Sequence, residues 1–168
     1  ISVLLLVSAC GGGGGGSSGP VTSTETFQLK TAYVNTFNDV RSLPFTISGT
    51  SSGNAVTGSG TLTQSSPVNG TFESVSALQK NSAITFTLTA NGITSSNASS
   101  SSSYVNSNYI PLGQSGTEYT VITSNTPIPV TAHVGDSGTW STENRYTNSS
   151  KTSLLGTTTT TYVLEPDT

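Results

Sequence analysis

The residues whose types and spacing come closest to chemistry are Gly135-Asp136-Ser137-Gly138, with His133 just before them. A serine becomes a nucleophile when a histidine lies within hydrogen-bond reach and an acid orients that histidine. His133 is the only histidine in the chain. It stands next door in sequence, and a Gly/Asp/Ser cluster is also the composition of a hairpin turn. We read the segment as a turn and keep a hydrolase using Ser137 as the weakest functional alternative. His133, Asp136 and Glu143 offer one imidazole and two carboxylates at no recognised ligand spacing, so no metal is expected. As an acid/base pair, Asp136 and Glu143 would have to face each other across a cleft at a set separation. Glu143 and Arg145, two apart on a strand, share a face and are expected to be a solvated ion pair of little weight. No catalytic residue and no cofactor is assigned.

A binding role has its own candidates. Tyr104, Tyr109, Trp140 and Tyr146 could form an aromatic platform for a sugar or a peptide, with Asn106 and Asn108 supplying hydrogen bonds; Tyr104, Asn106, Asn108 and Tyr109 are its leading candidates. Trp140 and Tyr146 lie on one face of a strand and are expected to fill the core.

Two resemblances follow. Gly135–Gly138 resembles the nucleophile segment of trypsin-like proteases. In that family the histidine lies far upstream in its own context and Gly-Pro completes the motif, whereas here Thr139-Trp140 follow. The second is at the other end of the chain. Ile1–Val7 is apolar except for Ser2, far shorter than the roughly 20 residues of a membrane-spanning helix. A run of that length ending in small residues has the form of a signal h-region. Val7-Ser8-Ala9-Cys10 resembles the lipobox of bacterial lipoproteins. The resemblance implies cleavage before Cys10 and a diacylglyceryl group on its thiol. Gly11, where Asp would often signal inner-membrane retention, implies the outer membrane. Stable anchoring takes two or more acyl chains, at about 0.8 kcal/mol per buried methylene. Whether the protein faces the periplasm or the cell surface is left open.

The chain is expected to divide into a signal peptide (1–9, its start lying upstream of Ile1), a lipidated Cys10 with a Gly/Ser-rich disordered tether (10–24) and one β-rich domain (25–168, with its last strands lying beyond Thr168). A tether of this composition has a root-mean-square span of about 20 Å. Charged residues are 8% of the chain. Ser and Thr together make up roughly a third, well above ordinary usage. Thr suits a pleated surface. Cys10 is the only cysteine, so no disulfide can form within the chain. The 5 basic residues are scattered and make no stripe for nucleic acid.

Periodicity predicts an all-β domain: an antiparallel meander of eight or nine strands, closed as a barrel or folded as a sandwich. The clearest strand is Ala83–Ala90, where Ile84, Phe86 and Leu88 alternate with Thr85, Thr87 and Thr89. Asn91-Gly92 predicts a type I′ hairpin turn after it. Thr26–Phe37 reads as a first strand, with Phe27, Leu29, Thr31, Tyr33 and Phe37 at spacing two. Gly58 and Gly60 predict a bulge or bend. Pro67-Val68-Asn69-Gly70 reads as a turn. Ser76–Lys80 is ambiguous, and Ile93–Ser103, nearly all Ser, is either a polar edge strand or a loop. The function expected is a non-catalytic interaction or structural module of the cell envelope, held by its lipid and meeting envelope proteins or glycans. Small-ligand or carbohydrate binding is the alternative.

Overall fold

The computed structural model describes residues 24–165; the lipobox, Cys10 and most of the glycine tether lie outside them. One helix, α1 (Leu29–Asn38), precedes nine strands: β1 (Arg41–Ser51), β2 (Asn54–Gln64), β3 (Val68–Phe72), β4 (Val75–Ala90), β5 (Ile93–Val105), β6 (Pro111–Ser115), β7 (Tyr119–Asn125), β8 (Ser137–Tyr146) and β9 (Leu154–Val163). All nine belong to one antiparallel sheet in the order β1-β2-β4-β5-β6-β7-β8-β9, with β3 also on β4. The all-β meander is therefore present. It is a single sheet rather than a sandwich, and it is not closed into a barrel.

The 16 residues of β4 organise one half. Both β2 and β3 lie end to end along one side of it, Val56–Gln64 against Ser82–Ala90 and Val68–Phe72 against Val75–Gln79. Pro67, which cannot donate to the ladder, sits in the break between them. The Pro67–Gly70 turn expectation is thus corrected: Val68, Asn69 and Gly70 are strand, and the chain reverses at Glu73-Ser74. Both of those residues have positive φ, 50° and 63°, as a type I′ turn requires. The other two turns of this kind, Ser52-Gly53 and Asn91-Gly92, carry glycine second. Glu73-Ser74 does not, so Ser74→Gly is expected to stabilise the domain by about 0.5–1 kcal/mol. A denaturation midpoint at or below the parent's would contradict this.

Alternation sets the faces. Directly paired residues share a face, so Arg41, Gln64, Ser82 and Ser101 lie together, as do Phe45, Gly60, Phe86 and Asn97. Gly58 and Gly60 produce no bulge; the registers of β1–β2 and β2–β4 run through them without a shift. Their purpose is space. A Cβ on Gly60 would stand 2.5 Å from the Phe45 ring and 2.6 Å from Phe86 Cβ; on Gly58 it would meet Leu88 at 2.9 Å. The glycines let these large side chains lie across β2.

Ser76–Lys80 proves to be strand within β4. Ile93–Ser103 is strand too: it pairs along its length with β4, and with β6 only from Ser102 onward.

The largest correction is at the start. Residues 29–38 form α1, not a strand. Phe27 alone makes a bridge, to Ala132. Tyr33 and Phe37, which share a face in the alternating pattern, are four apart and so also share a helix face. Their rings are 6.5 Å apart, and Tyr33 packs edge-on against Trp140 at 5.2 Å. Burying that face on the sheet decides the conformation against the period-two pattern.

A second aromatic group lies on the opposite face. Phe72 stacks between Tyr104 and Tyr119, at 4.6 and 5.3 Å. Tyr146 pairs with Tyr119. Trp140 and Tyr146 therefore do not share a face as expected. The β8–β9 register shifts between Thr139 and Ser141, and this bulge turns Trp140 toward α1.

Candidate functional site

α1 packs on one face of the sheet, with Tyr33 against Trp140 and Phe37 beside Lys80. Between helix and sheet lies a cavity of about 370 Å³. Tyr33 and Phe37 of α1, with Ile122 and Trp140 of the sheet, form its apolar lining; Gln64, Ser82, Ser103, Gln114, Thr120, Ser141 and Thr160 contribute polar groups, and Lys80 and Glu143 the charges.

Lys80 fixes the roof. It is 5% exposed. Its ammonium donates to the carbonyl oxygens of Thr36 at 2.9 Å and Asp39 at 2.8 Å. These carbonyls close the C-terminal end of α1, where unsatisfied oxygens and the negative end of the helix dipole favour a cation. The helix has no side-chain cap at Gln28, no acidic first turn and no basic last turn of its own. Its terminal charge comes from β4. Burial lowers the Lys80 pKa below the usual lysine value, with Arg41 adding to this and Asp39 opposing it. Asp39 is held by the Arg41 guanidinium at 2.7 Å, which lowers its pKa. Burial pushes the Tyr33 phenol up to about 12, so it remains a neutral donor.

Thr120 and Trp140 are left incomplete. Thr120 is 8% exposed, and its Oγ1 is buried with no hydrogen-bond partner; the indole Nε1 of Trp140 is buried in the same condition. Such groups cost about 1–3 kcal/mol when nothing answers them. Glu143, which pairs with Ile122 across β7–β8, makes no hydrogen bond or ion pair among the described residues. The expected Glu143–Arg145 pair is corrected: Arg145 instead forms a two-pronged bridge to Glu118, both contacts at 2.7 Å. Glu118 sits where its two oxygens match the guanidinium fork, and this leaves Glu143 to the cavity.

Burial raises the Glu143 pKa above 4.5, against the lowering influence of Arg145. A carboxyl with a raised folded-state pKa binds its proton more tightly folded than unfolded. Its contribution to stability is full below the unfolded value and is lost as pH rises through the folded value. Once ionised, Glu143 therefore costs stability. Glu143→Gln is expected to have a higher thermal midpoint than the parent at neutral pH, with the gap closing below the unperturbed carboxyl range. Equal midpoints at neutral pH would contradict this.

Of the other residues singled out from sequence, Tyr104 also borders the cavity. Tyr104 belongs to the Phe72 stack and reaches Ser115 Oγ at 3.1 Å. Tyr109 packs edge-on to Phe37 at 5.9 Å and bonds the Asn38 side chain at 3.0 Å. Asn106 turns its Oδ1 back to accept from the backbone N–H groups of Asn108 and Ile110, at 2.9 and 3.0 Å. Asn108 and Tyr109 line a second, smaller hollow of about 50 Å³ with Tyr33 and Ile128, while Tyr104 stacks on Phe72. Asp136 accepts from the His133 backbone N–H at 2.7 Å, and the His133 Nε2 lies 3.4 Å from Thr26 Oγ1. Ser137 opens β8 opposite Val163, and no hydrogen bond joins it to His133. Glu143 is in the cavity, away from that turn. No group of three or more metal-binding side chains occurs among the described residues.

The cavity residues Lys80, Thr120 and Gln114 were not singled out by sequence. For Lys80 a signal existed. It continues the Ser82, Ile84, Phe86 series toward the chain start, so extending β4 places a lysine on the buried face. No helix among the described residues is long and apolar enough to cross a membrane. Comparison with protein-family models, curated proteins and solved structures gives no match.

Proposed function

We propose that this chain is a lipid-anchored cell-envelope protein whose β domain binds rather than catalyses, carried on a glycine tether from an acylated Cys10. The observation that carries the anchor is Val7-Ser8-Ala9-Cys10 at the end of a short apolar run. The tether gives the domain reach without fixed orientation, which suits a module that meets partners such as envelope proteins or glycans. The outer membrane is the proposed address. Expressing the full chain in a bacterium fed radiolabelled palmitate is expected to label it, and Cys10→Ala is expected to abolish the label and release the protein from the membrane fraction. Label retained in the Cys10→Ala chain, or membrane retention without it, would contradict the anchor. Protease shaving of intact cells decides which side the domain faces.

A second reading is binding of a small ligand or carbohydrate by the domain. The specific observation in its favour is the cavity under α1, whose lining sets the rings of Tyr33, Phe37 and Trp140 beside Gln64, Gln114 and Glu143.

A further inference from the structure

We infer that the part of the sheet that α1 leaves uncovered, built from β1, β2, β4 and the first half of β5, packs face to face with the same part of a second copy of this chain. The inference stands on the sheet itself and is independent of the cavity and of the anchor.

Register defines the face. On β2 and β4 the cavity lining stops at Gln64 and Ser82. From there outward the same side of the sheet carries Leu43, Phe45 and Ile47 of β1 and Ile84, Phe86 and Leu88 of β4, with Gly58 and Gly60 of β2 between them. The rings of α1 meet Trp140, Tyr109 and Lys80, none of which lies in these rows. None of the six apolar side chains is buried. Leu43 is 43% exposed, and Ile93, at the far end of the same face, is 74% exposed. An apolar sheet face is stable when a second layer covers it. Among the described residues no second layer does so, because all nine strands lie in the one sheet.

Shape selects another sheet as the cover. The Phe45 ring comes within 2.5 Å of where a Gly60 Cβ would stand, and Leu88 Cδ2 within 2.9 Å of the same point at Gly58. Large side chains thus lie over β2 and level the face, which suits a second sheet stacked about 10 Å away. With strands about 4.8 Å apart and same-face residues about 6.8 Å apart, four strands and four rows span about 500 Å². Two copies bury about 1,000 Å² in total, where specific interfaces begin.

Charge and the opposite face select a second copy. The rows from Leu43 to Ile93 carry no charged side chain, so identical faces meet without repulsion. The other side of the same strands is hydroxyl-rich, as in the row Thr46, Ser59, Thr87 and Ser96, and stays in water. One apolar face per chain, used in the same way by both partners, closes at two copies. A bilayer fits poorly. β1 is an edge of the sheet, and β5 pairs with β6 only from Ser102 onward. Hydrocarbon would meet unpaired backbone at both margins, together with Ser95, Asn97 and Ser99 on the face itself.

The test measures the mass of the full chain, purified in a mild detergent, by light scattering with the detergent's share subtracted. The result expected is twice the mass of one chain. Phe86→Asp and Ile93→Asp each put a carboxylate into the face and are expected to halve it. Thr87→Asp, one residue along and on the opposite face, is expected to leave it unchanged. Ile93 begins β5 beside the Asn91-Gly92 turn and is largely exposed, so Ile93→Asp keeps the test open should Phe86→Asp fail to fold; Trp140 emission and circular dichroism report folding. A folded parent with the mass of one chain would overturn the inference. So would a mass that climbs beyond two chains with concentration, as pairing through the strand edges would give. A dimer that Ile93→Asp leaves intact, or that Thr87→Asp dissolves, would overturn it as well. Palmitate labelling reads the anchor independently.

Discussion

Replacing Lys80 by Met is expected to lower the thermal midpoint by about 5–10 °C and to loosen α1 from the sheet. Hydrogen bonds from a charged donor are worth about 1.5–3 kcal/mol each, and Lys80 makes two of them to the end of α1. The ammonium's own burial cost, removed by the substitution, offsets part of that. A net loss of about 2–3 kcal/mol remains, and for a domain of this size each kcal/mol moves the midpoint by about 2–4 °C. Met keeps most of the aliphatic stem beside Phe37, over whose ring the ammonium sits at 6.0 Å. The effect therefore reports the lost charge and hydrogen bonds more than lost packing. Because Tyr33 and Phe37 leave with the helix, Trp140 emission is expected to move to the red. A Lys80→Met protein as stable as the parent, with unchanged Trp140 emission, would show that water serves the two carbonyls equally well.

Gly60→Ala is expected to cost about 3 kcal/mol, at the upper end of what overpacking does. The new Cβ would lie 2.4 Å from the backbone oxygen of Thr85 as well as 2.5 Å from Phe45 Cζ. A ring can turn aside, but the carbonyl is part of the β2–β4 ladder. Relief therefore requires the two strands to separate. Gly49 in β1 provides the control. A Cβ there meets nothing within 4 Å, so Gly49→Ala is expected to fall within about 0.5 kcal/mol of the parent. Urea denaturation of the two variants side by side measures both. Equal losses would mean that close approach at Gly60 is not what its lack of a side chain serves.

These two sites also mark where sequence reading succeeded and where it failed. Ile84, Phe86 and Leu88 alternate with threonines because one face is buried, and the Asn91-Gly92 turn needs two positive φ angles. Both signals are local, and both were readable. For Ile93–Ser103 the sequence allows both a polar edge strand and a loop, since serine on both faces carries no period. That segment is a strand because the apolar face of β4 lies beside it.

The helix was hidden for a different reason. Leu29, Tyr33 and Phe37 satisfy a period of two and a spacing of four at once. The capping signals that would have separated the two are supplied by Lys80, more than forty residues away, as the 44-residue separation to Thr36 records. No window along the chain contains both partners. The candidate site shares this origin. Gln64, Lys80, Thr120 and Glu143 come from four strands, and each is unremarkable in its own segment. Only the register of the sheet brings them to one face. The bulge at Trp140 then turns the indole to that side, against the alternation of its own strand.

The proposed anchor depends on the identity of the mature N-terminus. The most direct measurement is mass spectrometry of the N-terminal tryptic peptide from protein extracted from bacterial membranes. Lys30 is the first basic residue, so the expected peptide runs from Cys10 to Lys30 and carries the mass of a diacylglyceryl group. A peptide that retains Val7-Ser8-Ala9 and ends at Lys30 with an unmodified Cys10 would contradict it.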